Sequence, residues 1–375
     1  MQARDRVRQL LERMEKLLNA EREAEKRRRH AAVLDCAQPV PPMRVLFPLD
    51  EEPYTIAEIH EDPDKMLFNE LLPMYNALLC GDDSLLNIRA NYGVGTFVSL
   101  YGYGQSILGN NMPWVQHGTL AEAERRVFDS PREDTLLGKI VSLQEFYRER
   151  LAEFPKCARE IAVYHCDLQG PLDSLHLALG SEFYLLLYDE EARILRLMEQ
   201  MSEDYVSALE YVRRNTTDDA SDGNLVHWSA LYRGKALLRN DSATNLSPEF
   251  YRSFSLPFEA EIVRRLGGAS LHYCGKRVPW LDDAIGIQGL GALNVGAVPG
   301  WDYDLVYLEE WTGRLKDRGM SLIYLQMDEN RVFCEDFKRI SRKNANFSIV
   351  LQAKSAADAG SITERYRAFF AEKDN

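Results

Sequence analysis

From about residue 85 to the C-terminus, short apolar runs of strand length alternate with amphipathic helical stretches, and this alternation constrains the fold more than any other feature. The runs lie near Leu86 to Tyr92, Ile161 to His165, Ala236 to Arg239, Ser270 to Tyr273, Ala292 to Val295, Leu322 to Gln326 and Phe347 to Leu351, with a weaker one at Leu225 to Trp228. Between them, EEARILRLMEQMSEDYVSALEYVRR, SPEFYRSFSLPFEAEIVRRLGG, YDLVYLEEWTGRLKDRG and ITERYRAFFAEK carry helical spacing. Ser247-Pro248-Glu249 opens one helix with a capping hydroxyl and a first-turn proline, and Gly267-Gly268 stops it. Such alternation predicts a parallel sheet covered by helices. Seven or eight units favour a (β/α)8 TIM barrel over an open doubly wound sheet, and GYGQSILG at 102–109 is not the GxGxxG turn of a dinucleotide fold. The predicted class is α/β, a (β/α)8 barrel with an extra N-terminal helical segment.

That segment, residues 1–30, reads as one helix. Val7, Leu10, Leu11, Met14, Leu17 and Leu18 form an apolar stripe among dense charges of both signs. It predicts a surface helix docked on the main body or on a partner subunit. The run Lys26 to Arg29 reads as a solvated face in preference to an anion patch. Pro39-Val-Pro-Pro42 breaks the chain, dividing it into a charged helix with a proline-rich linker (1–42) and the barrel (43–375).

Composition narrows the function. The formal net charge of −13 argues against a general nucleic-acid binder. No apolar stretch reaches the roughly 18 residues of a spanning helix, and the N-terminus lacks a secretory apolar core. The six cysteines are scattered along 375 residues, the pattern of free thiols in a reducing compartment. The expectation is a soluble cytoplasmic enzyme with no nucleic-acid or membrane partner.

In a barrel, chemistry sits at the C-terminal ends of strands. Ser270-Leu-His-Tyr-Cys-Gly275 ends one such strand, and residues two apart share a face, so His272 and Cys274 project together. They could bind zinc, act as a nucleophile–base pair, or be a half-buried histidine beside a packed cysteine. In Tyr164-His-Cys-Asp-Leu-Gln-Gly170, Asp167 and Gln169 follow another strand; Asp167 could bind substrate NH groups, act as a base, join a metal site, or merely cap the next helix. Arg89 and Asn91 alternate in IRANYGVGT, where Arg89 could clamp a carboxylate or phosphate or sit in a structural ion pair. Asp241 lies in the strand-to-helix loop Leu238 to Ser247. His117, His227 and Cys334 stand isolated and read as structural or surface residues.

Five pieces in order (IRANYGVGT with SLYG, DLQGPLD with SLHLALG, YDEEARILRLMEQMSEDYV, DSATNLSPEFYRSFSLPF and LHYCG) resemble the uroporphyrinogen decarboxylase superfamily from roughly residue 43 onward. The resemblance implies a (β/α)8 barrel, a deep cleft at its strand ends, and a homodimer. His272-x-Cys274 is similar to the His-x-Cys zinc pair of the corrinoid-dependent methyltransferases. That implies zinc, a corrinoid carried by a partner protein, and a thiol acceptor whose pKa the zinc lowers. Those enzymes complete the zinc set with a cysteine on a late strand. Here FSIVLQAKSAAD offers Gln352, Lys354 and Ser355 but no cysteine, leaving Asp241, Asp167, a water or Cys334 to complete the set, or a site that holds no metal. Arg89, Asn91, Gln169 and Asp241 are the expected substrate-binding residues, with His272, Cys274 and Asp167 as the catalytic ones. Two alternatives stand beside methyl transfer. One is decarboxylation of a tetrapyrrole, although the arginine loop of that branch has no match. The other is a non-catalytic barrel that binds a corrinoid or tetrapyrrole.

Overall fold

A computed structural model describes residues 2–49, 51–126, 132–218, 220–275, 278–296 and 303–372. The fold is α/β and built on parallel strands. In chain order these are β1 (Met43–Leu46), β2 (Asn87–Arg89), β3 (Ala162–Tyr164), β4 (Leu237–Arg239), β5 (Ala269–Cys274), β6 (Leu290–Gly296), β7 (Ser321–Gln326) and β8 (Phe347–Gln352). One six-stranded sheet runs in the order β1-β8-β7-β6-β5-β4, so the first strand lies beside the last. β2 and β3 form a separate parallel pair, and a single bridge from Gln169 to Arg239 joins the chain beyond β3 to the end of β4.

Alternation along each strand sorts its side chains. Met43 and Val45 of β1, and Leu271 and Tyr273 of β5, pack outward into the large core shared with the helices. Leu237, Ala292, Ile323 and Val350 face inward into a second, smaller core. The parallel register sets the level of the inward groups. Arg239 pairs with His272, His272 with Asn294, and Cys274 with Gly296 across β4, β5 and β6. A polar layer therefore crosses three strands above an apolar one.

The weak run at Leu225 to Trp228 is not a strand of this sheet. It is one arm of an antiparallel hairpin, Asn224–His227 with Ala230–Arg233, which fills the inner space. Leu225, Val226, Leu231 and Tyr232 are buried there against Leu237, Ala292 and Ile323. Ser270 Oγ donates to the Arg233 carbonyl at 2.8 Å, Tyr324 OH donates to the Ser229 carbonyl, and Leu85 N–H donates to the same oxygen at 2.9 Å.

The N-terminal segment is two helices, α1 (Ala3–Leu17) and α2 (Ala20–Leu34), where the periodicity predicts one. Asn19 makes the break, its side chain accepting from Arg22 N–H at 3.1 Å as an N-cap. α1 buries Val7, Leu10, Leu11 and Met14 in the large core, each worth about 1.5–3 kcal/mol of transfer free energy. The cations of Lys26 to Arg29 are all engaged within the chain. Lys26 pairs with Glu23 at 3.1 Å, Arg27 with Asp222 at 3.2 Å, Arg28 with Glu25 at 2.6 Å and Arg29 with Asp83 at 2.5 Å. Among the described residues no helix is long and apolar enough to cross a membrane.

The hairpin turns through Trp228 and Ser229 with φ of 44° and 67°. Two left-handed residues are what a two-residue turn between twisted strands demands, and glycine normally supplies them. Ser229→Gly should therefore raise stability by about 0.5–1 kcal/mol, read from urea denaturation at neutral pH.

Candidate metal centre

Two clusters occupy the polar layer and its upper rim. The first joins Asp241, His272 and Cys274, whose ligand atoms lie within 4.8 Å of one another. β5 puts His272 and Cys274 on one face, with His272 Nε2 at 3.4 Å from Cys274 Sγ. Asp241 arrives from the turn after β4. Its Oδ1 accepts from Cys274 N–H at 2.5 Å and lies 3.5 Å from His272 Nε2.

The supporting contacts fix these atoms. Asn294 Nδ2 donates to the Ile323 carbonyl at 2.7 Å, so its Oδ1 is the atom that meets His272 Nδ1 at 2.6 Å. An amide oxygen can only accept, so Nδ1 carries the proton and Nε2 turns its lone pair toward Asp241 and Cys274. Gly296 stands across from Cys274, where a Cβ would come within 2.4 Å of Sγ. Buried Asp173 holds the Asp241 turn by accepting from Asp241 N–H at 2.9 Å and Ser242 N–H at 2.6 Å. Burial and the nearby Asp241 push the Asp173 carboxyl up.

Asn240 anchors the same turn from behind, donating to Glu259 and, at 2.7 Å, to Ser255 Oγ. Ser255 is available because the helix expected over SPEFYRSFSLPFEAEIVRRLGG is two, Pro248–Phe254 and Leu256–Leu266. Pro257 lacks the N–H that a continuous helix would bond to Ser253, and the chain breaks at Ser255. Ser247 caps and Gly267 ends this pair as the sequence predicts.

Electrostatics separate two readings of the triad. Burial, opposed by Asp241, pulls His272 down to about 4, so the ring is neutral at pH 7. Cys274 is exposed as a residue, yet its thiol is tucked beside the other two groups. That partial burial, with the Asp241 carboxylate, pushes it up to about 12. A nucleophilic cysteine needs a cation to favour the thiolate. A carboxylate, an imidazole lone pair and a thiol instead form a set that a divalent cation would complete.

The second cluster centres on Asp167, beyond β3. Its carboxylate pairs with Arg239 and Arg89, and its Oδ1 lies 3.4 Å from His227 Nε2. Arg239 Nη2 donates to that nitrogen at 2.9 Å, and its guanidinium lies 4.0 Å over the Trp228 ring. Burial alone would raise the Asp167 carboxyl, but Arg239 and Arg89 outweigh it and hold it well below the usual carboxylate range. A carboxylate held so low is a poor base, and Asp167 is not in the ligand triad. Its charge is balanced by the two arginines around it.

The remaining expected residues are placed as follows. Asn91 lies beyond the short β2, its Nδ2 donating to Glu70 at 3.2 Å. Gln169 sits at the bridge to Arg239 with Oε1 buried and without a partner among the described residues. Cys334 is at the N-cap of the helix Glu335–Asn344, its thiol donating to the Arg331 carbonyl at 3.3 Å. It is absent from the triad because it belongs to the helical layer after β7, not to a strand end. Arg239, Asn294 and Asp173 were not singled out from the sequence. Arg239 had a signal, since it lies two residues before Asp241 at the end of an expected strand. The chain matches no protein-family model, and no curated protein matches its sequence.

Asp167→Asn should cost about 3–5 kcal/mol in urea at pH 7, because it strands two buried guanidiniums. The depressed carboxyl stabilises the fold fully above the ordinary aspartate value of 3.8 and loses that effect as pH falls below it. The gap between wild type and variant should therefore narrow below that pH.

Proposed function

We propose that this chain is a (β/α)8-barrel enzyme of the uroporphyrinogen decarboxylase superfamily that uses a zinc ion on Asp241, His272 and Cys274 to activate a thiol acceptor for methyl transfer. The observation that carries it is the convergence of three different donor atoms within 4.8 Å at the ends of β4 and β5. The barrel reading rests on eight parallel strands, six in one sheet and two in a pair, with β1 beside β8. The methyl donor in this proposal is a corrinoid carried by a partner protein, and the setting is cytoplasmic.

Three protein donors leave a coordination position for substrate, the arrangement of catalytic rather than structural zinc. When bound, zinc supplies Lewis acidity that lowers the pKa of a thiol placed at that position. The protein's part is preorganisation. Asn294 sets the His272 tautomer, Asp173 and Asn240 fix the Asp241 turn, and Gly296 leaves room for the Cys274 sulfur. Trp228 packs edge-on to His272 with ring centroids 4.9 Å apart and forms the floor. Asp241 takes the place of the late-strand cysteine of the resembling enzymes. Tetrapyrrole decarboxylation fits less well, because Asp167, its candidate acceptor for pyrrole NH groups, is already paired with two arginines.

Metal analysis of untagged protein tests the proposal. Wild type should hold about one zinc per chain, and Cys274→Ala and Asp241→Ala should each lose most of it. Cobalt-substituted wild type should show a thiolate-to-metal charge-transfer band that is absent in Cys274→Ala. Wild type that stays metal-free after zinc is added would sink the reading. Zinc-loaded protein with no methyl transfer from methylated corrinoid to any thiol would keep the metal site and remove the chemistry.

A further inference from the structure

Arg44 is a half-buried cation with no ion pair among the described residues. β1 turns Met43 and Val45 toward the helices, so Arg44 and Leu46 point inward. Arg44 Nη1 donates to the Trp228 carbonyl at 3.1 Å, and its guanidinium lies 5.9 Å from the Tyr324 ring centre. Among the described residues no carboxylate lies within ion-pair distance of it, whereas Arg89 and Arg239 share Asp167. Arg44 lines a cavity of about 160 Å³ together with Glu70, Arg89, Tyr164 and Trp228. Glu70 accepts from Arg89 N–H and from Asn91 Nδ2, both at 3.2 Å, and has no ion pair among the described residues. Each of its oxygens keeps a further lone pair.

One small cavity thus presents a guanidinium with no carboxylate in ion-pair distance among the described residues and a carboxylate whose neighbouring cation, Arg89, is shared with Asp167. We infer that it is a binding site for a small α-amino acid, with the carboxylate on the fork of Arg44 and the ammonium on Glu70. A guanidinium fork matches a carboxylate in two parallel hydrogen bonds. The volume is below the roughly 300–1,000 Å³ of pockets for drug-sized ligands, which fits a short side chain against the Trp228 ring and excludes a tetrapyrrole. The site uses none of Asp241, His272 and Cys274, so it stands or falls apart from the metal proposal.

The test titrates the whole protein, both metal-stripped and zinc-treated, with glycine, L-alanine and acetate, following melting temperature and tryptophan emission. Glycine or alanine should raise the melting temperature saturably in both forms, with acetate weaker by about tenfold or more. Trp228→Phe should keep the thermal shift and lose the emission change. Arg44→Gln, which can still donate to the Trp228 carbonyl, should weaken amino-acid binding about tenfold or more. Glu70→Gln should erase the preference for glycine over acetate. If Arg44→Gln does not fold, Arg44→Lys takes its place and should weaken binding in the same direction. Absence of any saturable shift in wild type, acetate binding as tightly as glycine, or unchanged binding in the folded Arg44 variant would each overturn the inference.

Discussion

The ion pairs of Asp167 close the weakest seam of the strand array. Among the described residues a single bridge, Gln169 to Arg239, joins the chain beyond β3 to β4, where the neighbouring strands of the six-stranded sheet share several paired residues. Side-chain charge replaces the missing ladder. Arg239 at the end of β4 and Arg89 at the end of β2 both reach Asp167, so one carboxylate ties β2, the β3 exit and β4 together. The seam between β1 and β2 is handled in another way. Asp82 and Asp83, just before β2, accept from the β1 backbone N–H groups of Val45 at 2.8 Å and Met43 at 3.0 Å. Those bonds satisfy the β1 edge near its start, and the cavity lined by Arg44 and Glu70 lies on the same side of the array.

Charge balance distinguishes the two clusters. Asp167 is surrounded by cations, and that group needs nothing further to be neutralised. Asp241 has Cys274 and His272 beside it and no ion pair with a lysine or arginine among the described residues, and burial keeps the imidazole neutral. A carboxylate beside a neutral thiol and a neutral imidazole leaves its charge without a cation in contact. Lying about one strand apart on the same layer, the clusters have opposite electrostatic requirements. That contrast, more than the identity of any one ligand, separates a structural ion cluster from a site that would take a cation.

Much of this was legible in the sequence, and the parts that were not share a cause. The period-two alternation of ASLHYC placed His272 and Cys274 on one face before any tertiary information. Strand-helix alternation placed seven of the eight parallel strands. β1 was hidden because its four residues follow Pro41-Pro42, where proline spacing reads as linker. The hairpin was hidden because both its faces are buried and its turn lacks the usual Asn-Gly signal. Asn294 and Gly296 act through the register between β5 and β6, which no local pattern encodes. Cys334 attracted attention only as a late cysteine. Asp241, the residue that joins the triad, was visible as a loop carboxylate but had no spacing rule to rank it.

An interior filled by aliphatic layers would be the more stable solution, since buried ion clusters are at best neutral against well-packed hydrophobic residues. This chain instead keeps the guanidiniums of Arg44, Arg89 and Arg239, the buried Asp167 carboxylate and the neutral histidines His227 and His272, and supports them with a strained hairpin. Trp228 sits at the centre of that arrangement. Its carbonyl holds Arg44, its ring lies over Arg239, and its edge contacts His272. An indole offers an aromatic face to the guanidinium and a broad ring to meet the imidazole edge-on. A residue so placed ties the position of His272 to both arginine groups. We read the polarity retained there as the signature of an interior shaped for binding, its stability drawn from the helical shell outside.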